Sequence, residues 1–227
     1  MAETGRNGTF FLSIVSRQDV RPGVWDPYYY RTTEALRTLG EFVRAEKLGR
    51  RKHGVCAHRP IAYAHIPRGP YLSFALEPNG VPGKVFGPCA GEQEVLFGTM
   101  RAYLGNVIVT PAASWLGMEN PLAFEVGSEF LRVVPEDGLV FFWGTYLRSP
   151  VFLRGLPLGH GGTRPRLSSD SLLAAPVQVP PLDERAATDK ALQTLATAEW
   201  RNYVRLHHIV RQMSSGAGPE ANDDCGP

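Results

Sequence analysis

The periodicity of this chain changes once, at Pro180-Pro181. Beyond that point Leu192, Ala196, Trp200, Tyr203, Leu206, Val210 and Met213 recur at intervals of three or four, a single apolar stripe along a helix. Asp183 and Glu184 in the first turn, and Arg205 and Arg211 near the end, suit the helix dipole. The two prolines suit a helix start and Ser214-Ser215-Gly216 a stop. The pattern predicts a helix over 182–213, about 48 Å long at ~1.5 Å per residue. A helix of that length outruns the domain it leaves, so its stripe needs cover. A second long helix is the simplest cover, and the alternative is a fold-back across the preceding globule.

Before the prolines the pattern is that of short strands and short helices. TFFLSIV (9–15), residues 55–66, 71–76, 95–98, 106–109 and FLRVV (130–134) read as strands. A helix is expected from about Thr33 to Ala45, with Leu36, Leu39, Phe42 and Val43 on one face, and a turn or short helix around Arg101 to Leu104. LVFFWGTYL (139–147) has a strand-like composition, but its length and the restart at Ser149-Pro150 favour two short helices. The expected fold class is therefore α+β: a globular domain over 1–181, a long helix over 182–213, and a disordered tail over 214–227.

Composition excludes several classes. The 227 residues carry 24 Lys and Arg against 22 Asp and Glu, a net charge of +2. No apolar run approaches the roughly 18 residues of a membrane span, and MAETGRNGTF lacks a signal-peptide pattern, so a cytoplasmic protein is expected. Cys56, Cys89 and Cys225 are odd in number and far apart, which fits free thiols rather than a disulfide framework. The charge is unevenly spread: the tail holds three acids and no base, which leaves the body mildly basic. Arginine supplies 20 of the 24 basic residues. It suits bidentate contact to phosphate or guanine, though a GC-rich genome would produce the same bias.

No catalytic or metal constellation is legible. Cys56-Ala57-His58 lacks the second ligand pair of a zinc site. His207 and His208 are adjacent on a helix and cannot chelate together. Asp26-Pro27-Tyr28-Tyr29 resembles the Asp/Asn-Pro-Pro-aromatic motif of amino-methyltransferases, but its second proline and the glycine-rich S-adenosylmethionine loop are missing. What remains is basic and clustered. Arg50, Arg51 and Lys52 sit in one loop, Arg101 and Tyr103 in a turn after a strand, and Thr163, Arg164 and Arg166 in a glycine-loosened GGTRPR loop. Duplex DNA needs such a set, basic groups for phosphates and a few planar side chains for base edges.

GEQEVLFGTMRAYLGNVIV (91–109), SEFLRVVPEDG (128–138), LRSPVFLRGL (147–156) and GGTRPRLSSDSLLAAPVQVPPLDER (161–185) stand in that order. Together they resemble the target recognition domain of type I restriction–modification specificity subunits. Asp26 to Tyr30 and Lys47-Leu48-Gly49 look like weaker upstream matches. The resemblance implies a non-catalytic DNA reader without a cofactor of its own. It implies double-stranded DNA, an adenine methyltransferase subunit carrying S-adenosylmethionine, and a restriction and translocation subunit as partners. The recognition positions carry over to Arg101, Tyr103, Thr163, Arg164 and Arg166; Arg185 stands where the family usually has Gln. Family members hold two recognition domains and two long helices, whereas this chain shows one of each. It therefore looks like a half-subunit, and its stripe is expected to pair with a second copy or a separate half-subunit. Other readings are a stand-alone DNA-binding decoy or regulator, and a small enzyme using Cys56 or the Asp26 turn.

Overall fold

A four-stranded antiparallel sheet, in the order Val43–Lys47, Phe130–Pro135, Val95–Gly98 and Val107–Val109, forms the centre of the computed structural model. The structure describes residues 37–49, 55–58, 61–67, 73–74, 76, 78–84, 87–119, 122–157 and 163–215. The strand expected at 9–15, the Asp26 turn, Arg50, Arg51 and Lys52, and the tail from 216 lie outside these residues. In chain order the strands are β1 Arg37–Thr38, β2 Val43–Lys47, β3 Val55–His58, β4 Pro78–Lys84, β5 Cys89–Ala90, β6 Val95–Gly98, β7 Val107–Val109, β8 Phe124–Glu125 and β9 Phe130–Pro135. Then come α1 Val140–Tyr146, α2 Pro150–Gly155, α3 Ser169–Leu173, β10 Pro176–Val177 and α4 Leu182–Ser215. Three two-stranded pairs, β1-β10, β3-β4 and β5-β8, complete the α+β architecture.

The period of two puts the sheet's valines on one face and its arginine–carboxylate pairs on the other, beside the buried Leu96 and Ile108. The register sets Ala45, Val133, Val95 and Val109 in one row and Lys47, Leu131, Phe97 and Val107 in the next, on the same face. Helix α1 packs there, and Gly144 gives it access, because a Cβ at that position would run into Val109. On the other face Arg132 donates to Glu94 at 2.8 Å and stands 3.7 Å from Glu46, while Arg44 pairs with Glu46 and Glu136. Such partly exposed pairs contribute little individually.

Three sequence expectations are corrected by the fold. The helix over 33–45 does not form in its described part. Residues 37–38 are β1, Leu39–Glu41 is a 3-10 turn, and 43–47 pair with β9. Thr38 and Glu41 close a capping box around that turn, and Thr38 N–H and Arg37 hold the Glu41 carboxyl below its ordinary value. Leu39, Phe42 and Val43 are buried, so their place in the core was legible while the element was not. Gly40 weakens a helix at this point, and here it lets Leu173 approach. The strand expected over 55–66 ends at His58, and Tyr63–His65 is a 3-10 turn. Ser73, Phe74 and Leu76, expected in a strand, lie outside regular structure. The Ser73 and Leu76 amides donate to Glu199 and Tyr203 of α4, and not to a neighbouring strand. The β6 and β9 strands, the β7 strand less its first residue, and the helix pair α1 and α2 form where expected.

Helix α4 runs for 34 residues, on the order of 51 Å at ~1.5 Å per residue. Its first half is bolted to the domain. Arg185, 8% exposed, pairs with Asp137, which also accepts from the Trp143 indole N–H at 3.0 Å and the Leu139 amide at 3.1 Å. The guanidinium lies 5.3 Å from the Phe42 ring and 5.8 Å from that of Trp143. One turn on, Asp189 accepts from the Phe141 and Phe142 amides at 2.8 Å each, so α4 supplies the N-terminal cap of α1. Farther along, Trp200 meets Phe74 edge-to-face at 5.0 Å.

The apolar stripe therefore divides, which corrects its reading as one continuous partner surface. Ala196 and Trp200 are fully buried, and Leu192 and Tyr203 pack against the same core. This chain itself covers them. Leu206, Val210 and Met213 are exposed at 60%, 51% and 77%, with Ile209 beside them. Among the described residues no helix is long and apolar enough to cross a membrane.

Three variants test this division by denaturant unfolding. Trp200→Ala should cost about 3–5 kcal/mol and Asp137→Ala, which strands a buried guanidinium, about 3–5 kcal/mol. Met213→Ala should stay within about 0.5 kcal/mol. Equal losses at Trp200 and Met213 would contradict a half-docked helix.

Candidate nucleic-acid interface

The β6–β7 hairpin opens at its tip, and the opening is filled from both sides. Gly98 N–H donates to Asn106 O at 2.8 Å as the last hairpin contact before the turn. A side chain at position 98 has no room, since a Cβ there would lie 2.7 Å from the Tyr63 ring. On one flank the Thr99 amide and hydroxyl donate to Glu129 O at 2.9 and 2.8 Å. The Tyr63 hydroxyl accepts from Met100 N–H at 3.1 Å and donates to Glu129 O at 3.4 Å. The other flank is the GGTRPR loop. Leu167 N–H donates to Thr99 O at 3.0 Å, Arg101 N–H to Pro165 O at 2.8 Å, and the Arg101 guanidinium to Thr163 O at 3.3 Å. Met100 and Arg166 form an antiparallel bridge.

Segments 99–103 and 163–167 are thereby joined into one ledge. Arg101, Tyr103, Thr163, Arg164 and Arg166 are all exposed along it. Five predicted binding residues, drawn from two separate motifs, come together. Arg50, Arg51 and Lys52 lie outside the described residues; Gly49, just before them, accepts from the Cys89 amide at 3.1 Å.

The ledge arginines differ in their electrostatics from four other arginines of the fold. Arg37, Arg44, Arg132 and Arg185 each face a carboxylate. Among the described residues no carboxylate pairs with Arg101, Arg164 or Arg166. Among the described residues their charge meets no carboxylate within ion-pair distance, and their side chains are exposed.

Arg101 also bears backbone strain. Its φ of 51° and ψ of 49° are left-handed, a region that costs a non-glycine residue roughly 1 kcal/mol or more. The hydrogen bond from its N–H to Pro165 O holds it there. Gly105, at φ 66°, closes the turn without that cost. Strain of this kind persists where surrounding structure over-determines it, and it clusters at binding sites.

Tyr63 sits behind the ledge with its ring edge-on to Phe130 at 5.0 Å. Burial pushes its phenol up to about 12, with the Glu129 carboxylate acting in the same direction. The Met100 amide and Arg166 oppose both. Sequence reading did not find Tyr63 or Glu129. Their role depends on contacts across 37 and 30 residues of chain, and no local pattern carries that. It also took Arg185 for a minor departure, whereas Arg185 is the buried anchor of α4. Cys56 lies on β3 opposite Gly83. Among the described residues no group of three or more His, Cys, Asp or Glu side chains could hold a metal ion.

No family model matches the chain, and no curated protein matches it. Among solved structures it is similar to a chain from work on the complex assembly and conformational transition of the type I R-M system. That likeness has a TM-score of 0.41 and 18% identity, and it covers 79% of this chain and 43% of the other. The present chain thus spans less than half of that neighbour's length.

The raised phenol sets a pH dependence. A Tyr63 proton bound more tightly in the folded than in the unfolded state stabilises the fold below pH ~10, and that contribution is lost as pH rises toward about 12. Tyr63→Phe should flatten this alkaline decline in a pH series of unfolding curves. An unchanged decline would contradict the buried, hydrogen-bonded phenol.

Proposed function

We propose that this chain is the sequence-specific DNA-binding specificity subunit of a type I restriction–modification system, in half-subunit form. It reads a DNA half-site and presents it to adenine-N6 methyltransferase subunits, which bind S-adenosylmethionine; the chain itself is non-catalytic. One observation carries this reading. Two sequence motifs that resemble the family's recognition segments, some sixty residues apart, meet as one ledge with three exposed arginines that pair with no carboxylate among the described residues. Guanidinium groups on a rigid turn, flanked by Thr and Tyr hydroxyls, suit a phosphate backbone and base edges. Binding by such a surface is salt-sensitive, because counterions leave the duplex.

Arg101→Ala and Arg164→Ala should each weaken duplex binding and lower the salt slope by about 1 if each contacts one phosphate. Their circular dichroism should match that of the parent protein. Unchanged affinity of both variants in a mobility-shift titration would remove the assignment.

The exposed distal stripe, Leu206, Val210 and Met213, is the surface left for a partner helix. In this reading a second copy covers it through an isologous contact, which places two half-sites in a split palindrome. Sedimentation should show a dimer that Leu206→Glu dissociates. A wild-type monomer, even with the methyltransferase subunit bound, would overturn the pairing.

A further inference from the structure

An acid stands at the rim of the basic ledge. Glu129 begins β9's approach in the turn Gly127-Ser128-Glu129, where Phe130 N–H donates to Gly127 O at 3.2 Å. Its carbonyl is the acceptor for both Thr99 donors, so its backbone is joined to the segment that carries Arg101. Arg166 is joined to Met100 on the opposite flank. The Glu129 side chain is partly buried, and among the described residues its carboxylate has no hydrogen bond or ion pair. It folds back over Gly127, where a Cβ would lie 2.6 Å from Glu129 Oε2.

A carboxylate is acceptor-only and is repelled by phosphate, so it cannot serve the backbone contacts that suit its arginine neighbours. In the major groove the groups that it can bind are the exocyclic amines of base edges, cytosine N4 above all and adenine N6. Were Glu129 a structural counter-charge, it would pair with Arg166 or Arg101, and it pairs with neither. We propose that Glu129 is a specificity-determining residue of the ledge, accepting a hydrogen bond from the amino group of one base while the arginines hold the phosphates. This rests on the DNA-reading function above.

Selection from a pool of randomised duplexes, using the full chain, separates the outcomes. The wild-type protein should enrich a motif containing one position restricted to cytosine or adenine. Glu129→Gln, whose amide donates as well as accepts, should relax that position by about tenfold or more and leave the other positions unchanged. Gly127→Ala, which displaces the carboxylate without removing it, should relax the same position. Non-specific affinity at low salt should not fall in Glu129→Gln, since a negative charge has been lost. An unaltered motif in both variants overturns the assignment to Glu129, as does a uniform loss across all positions, which a structural role would produce. A wild-type protein that enriches no motif at all sinks the DNA-reading function itself, and the assignment to Glu129 with it.

Discussion

The ion pair between Arg185 and Asp137 ties the long helix to the domain. Both side chains are largely buried, and removing charges from water is costly unless each meets a partner. Asp137 meets three donors, the guanidinium, the Trp143 indole and the Leu139 amide. Arg185 also lies over aromatic faces of Phe42 and Trp143. These contacts place the first turn of α4 over the start of α1, where Asp189 caps the free amides. Helix α1 in turn covers the valine face of the sheet. The sheet's orientation toward the rod therefore rests on a buried ion pair together with the Asp189 cap.

The same sheet carries the ledge at its other end. Strand β6 runs from beneath α1 to Gly98, and β9 returns from Glu129, so the Arg101 turn is an extension of a packed element and not a free loop. Sites on rigid elements hold geometry better than sites on loops alone. The strained Arg101 backbone depends on this support. The Pro165 carbonyl and the Tyr63 hydroxyl, which accept from the Arg101 and Met100 amides, hold the turn in the left-handed region together with the Arg101–Thr163 contact.

The sequence disclosed the parts that depend on local pattern. The strands Val95–Gly98 and Phe130–Pro135, the helix pair after Gly138, and the start of α4 were all visible as periodicity, proline and capping signals. The ledge residues Arg101, Tyr103 and Thr163 to Arg166 were visible as clustered charge and hydroxyls, though not their convergence on one surface. What stayed hidden depends on pairing at long range. Residues 37–47 have an apolar spacing that either a helix or a strand can satisfy, and pairing with β9, β10 and the Ala175 carbonyl decides between them. The stripe of α4 has one period throughout, so nothing in it announces that Phe74, Ser73 and Leu76 cover it only as far as Tyr203. Tyr63 and Glu129 join the ledge through contacts that local pattern does not encode.

The central claim is that the duplex is held by the ledge, while the distal rod serves other proteins. Arginine footprinting with phenylglyoxal, read by mass spectrometry with and without duplex DNA, tests it most directly. The account predicts that DNA protects Arg101, Arg164 and Arg166 while Arg205 and Arg211 on the distal helix stay reactive. Protection of Arg205 and Arg211, with the three ledge residues still modified, would contradict it.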